Sequence, residues 1–185
     1  MEKDYIRNIF NELVNFKIIN ISQIPDIDLY MDQVTTFVED RLSVYKRNDE
    51  DKILTKTMIN NYAKEGLIAP PVKKKYSREH IIRLIMIYHL KNSLSIGDIG
   101  LLFKGIPKEK ELQVYDGFVK LQERENELSK EVIESSLENI QLHTEDEMET
   151  VLMTIITLVL EANCRRQLAE RLIDKYFKEQ DKANG

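Results

Sequence analysis

Tryptophan is absent from this sequence and cysteine occurs once, at Cys164. A lone thiol can close no internal disulfide and build no multi-thiolate metal site, which fits a reducing compartment and excludes metal sensing through paired thiolates. Cys164 reads as a small apolar filler. Glycine and proline are also scarce, six and four in 185 residues. With few breakers and much Leu, Ile, Lys and Glu, the composition favours an all-α protein. Long apolar runs are missing too: the longest, VLMTIITLVL from Val151 to Leu160, has ten residues, against the roughly 20 of a membrane span. The N-terminal MEKDYIRNIFNELVNF mixes charges into its apolar residues and has no signal-peptide core. These absences predict a soluble, cytoplasmic chain without a membrane partner.

No catalytic set is visible. His80, His89 and His143 are scattered without the local spacing of a metal site, and there is no phosphate-cradling glycine pattern. Glu145, Asp146 and Glu147 belong to a helix N-terminus, where the dipole already favours them. The expectation is a non-enzyme without metal or cofactor.

What the chain does have is an uneven charge. Between Lys52 and Lys91 stand nine basic residues and two acidic ones, Glu65 and Glu79. That stretch is +7, and the other 18 basic and 30 acidic residues make −12, so the overall −5 averages two unlike regions. One positive segment in an acidic chain points to a local polyanion site.

Periodicity places the elements. Ile6, Phe10, Leu13 and Val14 form one face of an N-terminal helix from Tyr5 to about Phe16. ISQIPDID is a break, with Asp28 as the expected cap of a helix from Leu29 to about Tyr45. The polar Lys46–Lys52 segment is a loop, after which Thr55 caps a helix burying Met58, Ile59 and Tyr62. Lys56, Asn60 and Lys64, with Thr57 and Asn61 beside them, make its other face Lys, Asn and Thr only. Gly66 stops this helix, and Pro70 and Pro71 lead into Lys73, Lys74 and Lys75 in an extended or hairpin-like segment ending at Tyr76. Ser77 and Ser95 cap the next two helices, and Gly105 ends the second. A long charged helix runs from Lys108 to about Leu142. Thr144 and Glu147 form a capping box for a last helix to about Lys178, whose apolar belt, Val151–Leu160, implies burial on several sides.

Helix, polar-faced helix, basic turn and capped helix is the order of a winged helix-turn-helix, in which the second helix lies in the major groove. Asn pairs with adenine, and Lys reaches guanine or a phosphate, so these residue types suit a groove. TKTMINNYAKEGLI resembles the recognition helix and exit of MerR-type transcription regulators, with Ile59, Tyr62, Gly66, Leu67 and Ile68 in step. KYSREHIIRL resembles that family's wing exit at Tyr76, Ser77, Glu79, Arg83 and Leu84. LSIGDI resembles its next helix start at Ser95, Ile96, Asp98 and Ile99. The pattern, including IPDIDLYMDQV from Ile24 to Val34, is also similar to an uncharacterised bacterial domain family with a MerR-like head. Asn60 and Asn61 stand where MerR proteins carry Arg and Tyr, and the wing lacks their Gly-Tyr-Arg-Arg run.

The resemblance implies a winged helix-turn-helix head over residues 23–105, preceded by a helical arm over 1–22 and followed by a helical dimerisation or regulatory region over 106–185. It implies a cytoplasmic transcription regulator that binds double-stranded DNA as a homodimer through its C-terminal helices. The recognition helix, 55–65, would bring Lys56, Thr57, Asn60, Asn61 and Lys64 to the bases. The loop 70–76, with Arg78 just beyond it, would bring Lys73, Lys74, Lys75, Tyr76 and Arg78 to the phosphates. The competing expectation is a protein-interaction module that keeps this fold without DNA binding. A third is a regulator holding a small apolar effector between the C-terminal helices, near Met148–Ile156.

Overall fold

The computed structural model describes residues 8–12, 19–141 and 146–179, and gives no side-chain placement for 136–141 and 147. Most of these residues are helical, and the one sheet among them is a two-stranded antiparallel ladder. The chain divides into two compact units, one of 19–119 with the described residues from 170 onward, the other of 8–12 with 120–169.

The first unit opens with a 3-10 turn, Ile21–Gln23, which ends as Ile24 turns extended before Pro25. Strand β1, Leu29–Tyr30, leads into helix α1, Met31–Leu42. The expected cap, Asp28, lies upstream of the helix start. The strand occupies the intervening residues, and Gln33 Oε1 accepts the Tyr30 N–H at 2.9 Å instead. Val34, Val38 and Leu42 recur every four residues as the buried stripe of α1, which tightens into a 3-10 turn at Ser43–Tyr45. Helix α2, Lys56–Lys64, follows the polar loop. Strand β2, Lys75–Tyr76, pairs with β1 in the register Leu29 to Tyr76 and Tyr30 to Lys75.

Helix α3, Arg78–Leu90, is the centre of this unit: eight of its thirteen residues are buried, including Ile81, Leu84, Ile85 and Tyr88. Burial on all sides explains why its apolar residues show no single stripe. Helix α4, Ile96–Lys104, buries Ile99 and Phe103. Ser95 caps it as expected, its hydroxyl accepting the Asp98 N–H at 3.1 Å. The long helix α5, Glu111–Gln141, begins in this unit with Tyr115 and Val119 buried. The Tyr115 hydroxyl donates to the Ile19 carbonyl at 2.5 Å, and burial pushes this phenol well above its ordinary pKa. Ile173 is buried at the end of the chain's last long helix, α6, Glu147–Ile173, and the following π-helical turn, Asp174–Lys178, lies on α4.

In the second unit α6 is capped by Asp146, whose carboxylate accepts the N–H groups of Met148 and Glu149 at 2.8 and 3.0 Å. Thr144 of the expected capping box lies outside the described residues. Among the described residues the belt does not show the burial expected of it. Thr150 and Thr154 are the buried residues, whereas Leu152, Ile155, Val159 and Leu160 are 52%, 54%, 53% and 63% exposed. Each threonine hydroxyl donates to a carbonyl four residues back, so the polar inner face is satisfied locally. Among the described residues no helix is long and apolar enough to cross a membrane.

Candidate nucleic-acid interface

Local chemistry defines both ends of α2. Thr55 Oγ1 accepts the Met58 N–H at 3.1 Å, satisfying a first-turn amide. At the other end Gly66 adopts φ +74°, its N–H donates to Ala63, and the Leu67 N–H reaches back to Tyr62 at 2.9 Å. This is the paired carbonyl closure that a left-handed residue permits, and it turns Leu67 and Ile68 into the core. With Ile59 and Tyr62 buried, Lys56, Thr57, Asn60, Asn61 and Lys64 are all exposed.

The basic segment is a two-residue hairpin. Val72 and Lys75 exchange backbone hydrogen bonds at 3.1 and 2.9 Å, and Lys73 and Lys74 between them have φ of 50° and 64°. Positive φ at both central residues is the geometry that matches strand twist, and it normally selects Asn-Gly. Here two exposed lysines adopt it. Lys75 is half-buried, its ammonium 5.1 Å from the centre of the exposed Tyr30 ring.

Two of the residues expected at the phosphates are engaged within the fold. Tyr76 is 2% exposed, its ring edge-on to His80 at 5.6 Å, and desolvation raises its phenol pKa. It belongs to the core because its strand position faces α3. Arg78 is half-buried, pairs with Asp26 and donates to the Ile21 carbonyl. Its charge ties the first turn of α3 to the chain before β1.

Other cations of the +7 stretch also have internal partners. Arg83 donates from Nε to Glu111 Oε1 at 3.1 Å, from Nη1 to the Leu67 carbonyl at 3.0 Å, and lies over the Phe103 ring. Lys91 donates to the Ile53 carbonyl at 3.3 Å, and burial lowers its pKa. The exposed cations that remain are Lys52, Lys56, Lys64, Lys73 and Lys74. Sequence periodicity missed two neighbours on this surface: Tyr30, paired across the ladder with Lys75, and Asp32, whose carboxylate pairs with Lys56. A contact across 24 positions leaves no local signal. Lys56 also lines a cleft of about 540 Å³, whose five carboxylates, Glu39, Asp40, Asp49, Glu50 and Asp51, outnumber its three lysines, Lys46, Lys52 and Lys56.

The histidines have structural positions. His80 Nδ1 accepts the Ser77 N–H at 3.0 Å, so its proton is on Nε2, facing the Ala69 carbonyl at 3.0 Å. It thereby completes the cap of α3, while the Ser77 hydroxyl donates to Glu79 and holds that carboxyl below its ordinary pKa. His89 is enclosed by aromatic rings. His143 lies outside the described residues. Cys164, expected as a buried filler, is exposed because it stands on the outer surface of α6. Among the described residues no cluster of His, Cys, Asp or Glu could hold a metal ion.

Fold and surface together define a helical head with a small ladder and one polar, basic helix face. A family model described as a domain of unknown function (DUF1836) matches residues 19–121, more than half of the chain, and the chain belongs to that family. No curated protein and no solved structure matches it.

Proposed function

We propose that this chain is a double-stranded-DNA-binding transcription regulator that acts as a homodimer. The exposed face of α2 enters the major groove, and the Val72–Lys75 hairpin holds phosphates. The observation that carries this reading is the hairpin tip: two consecutive lysines stand in left-handed backbone at a position where Asn-Gly is less strained. Local strain retained at an exposed cationic tip is accounted for when both ammonium groups have a ligand. Support also comes from the order of α1, the polar-faced α2, hairpin and α3, which follows a winged helix-turn-helix, and from the MerR-like residues at Ile59, Tyr62 and Gly66.

The test is to select bound fragments from a genomic DNA library with the purified chain, then vary salt. If about five phosphates are neutralised per head, the logarithm of affinity falls against log salt with a slope near −4.5 on a single half-site and about −9 for a dimer on two. Lys73→Asn combined with Lys74→Gly relieves the turn and stabilises the fold by about 1 kcal/mol. The same change lowers affinity for every duplex roughly 10- to 100-fold at about 0.1 M salt. A variant more stable yet weaker in binding separates the lysines' role from folding; unchanged affinity overturns the hairpin's role.

A second reading, a protein-interaction module on this fold, is favoured by the internal engagement of Arg78 and by the acidic cleft beside Lys56. Absence of binding to any duplex at low salt, with capture of one protein partner, selects it.

A further inference from the structure

Among the described residues, Asp32 is the carboxylate paired with a residue of the proposed reading face. It lies in the first turn of α1, two residues after Tyr30, which the ladder places beside Lys75. Its carboxylate pairs with the ammonium of Lys56, the first residue of α2. The side chains are 77% and 61% exposed, so the pair adds little to stability. Asp32 adds a carboxylate on the Lys56 side of the face, where Glu39, Asp40, Asp49, Glu50 and Asp51 line the neighbouring cleft, and as the one in direct contact with the ammonium it opposes the approach of a polyanion there.

Lys56 has two kinds of target on a duplex. Attraction to phosphates depends on charge alone and is the same on any sequence. A hydrogen bond to guanine O6 or N7 needs an acceptor at one position and so depends on sequence. A carboxylate beside the ammonium cancels most of its field at a distance. It thus weakens the first interaction everywhere, while at a matching base the ammonium can exchange one oxygen partner for another. We propose that Asp32 is a specificity-determining residue of the DNA interface, paired with Lys56 so that this lysine contributes to binding only where a base acceptor replaces the carboxylate. It acts by penalising the wrong partner rather than by improving the right one. The inference rests on the DNA-binding reading above.

The experiment measures fluorescence anisotropy of the full chain, as wild type, Asp32→Asn and Asp32→Glu, on a duplex selected by the wild type and on a scrambled duplex of equal length. Asp32→Asn is expected to bind the scrambled duplex about threefold tighter, as removal of one repulsion at several ångströms implies. Its salt slope there steepens by about one phosphate contact, while affinity for the selected duplex changes less than about twofold. Asp32→Glu, keeping the charge, behaves as wild type, and matching thermal melts show that the fold is retained. Equal discrimination by Asp32→Asn and wild type overturns the inference. So does a loss confined to the selected duplex, which would make Asp32 itself a base-contacting acceptor. If the wild type binds neither duplex at low salt, the DNA-binding reading fails, and that result is distinct from the other two.

Discussion

His89 stands among Tyr45, Tyr88 and Phe118, with ring centroids 5.1, 5.3 and 5.8 Å away and its Nε2 buried without a hydrogen-bond partner. Burial lowers its pKa to about 4, from 6.5 in an open chain. Between those values the unfolded state binds a proton that the native state refuses. Stability is therefore full above pH 6.5 and falls as pH drops toward 4, by up to about 1.4 kcal/mol per unit. His89→Leu removes this loss: the difference in urea stability between pH 7 and pH 5 is expected to shrink by roughly 2 kcal/mol relative to wild type. An unchanged difference would show that other groups carry the pH dependence. The periodicity of α3 put His89 near the buried face, but only its aromatic neighbours, from three separate segments, decide its protonation.

Arg83 connects three elements through one guanidinium: the exit of α2 at the Leu67 carbonyl, the first turn of α5 at Glu111, and the Phe103 ring of α4. Glu111 is buried, so removing the arginine leaves a desolvated carboxylate and a carbonyl without this donor. Arg83→Met is expected to destabilise the fold by about 3–5 kcal/mol, and adding Glu111→Leu should recover much of that, because an apolar pair leaves no charge stranded. Thermal melts of the two variants check this; a single variant within about 1 kcal/mol of wild type would contradict it. In the sequence Arg83 counts simply as one more positive charge. Gly105 shows a similar limit. It ends α4 as expected, yet in ordinary right-handed backbone. What excludes a side chain there is the Phe177 ring, 2.7 Å from where a Cβ would sit.

Helix α6 carries its apolar residues on the outside of the second unit. Met148, Leu152, Ile155 and Val159 are all exposed and follow the four-three-four spacing of a coiled-coil seam, with threonines on the buried side. A stripe of this kind supports the proposed homodimer, because a second copy can cover it symmetrically. Sedimentation is expected to give twice the 21.8 kDa chain mass, and Ile155→Lys with Val159→Lys to give monomers that keep their helical signal. A doubly substituted chain that stays dimeric would place the interface elsewhere. In a twofold dimer each head meets one half-site, so the same variant should also weaken binding to a palindromic site more than to a single half-site.

The sequence by itself determined the features whose causes are local. Thr55, Ser77 and Ser95 cap helices within three residues of their targets. Gly66 takes the backbone angle that others avoid, and the spacing of Ile59 and Tyr62 turns Lys56, Asn60, Asn61 and Lys64 outward. The tertiary structure alone decided which charges remain available. Arg78 and Arg83 meet partners 52 or 57 and 28 positions away, Tyr76 is buried against α3, and Asp32 comes to rest on Lys56. The reason is physical: hydrogen bonds of caps and turns span a few residues and leave a motif, whereas burial and ion pairing depend on distance in space. That dependence also reversed α6, whose apolar belt has the composition of a core but lies on the surface of the single chain.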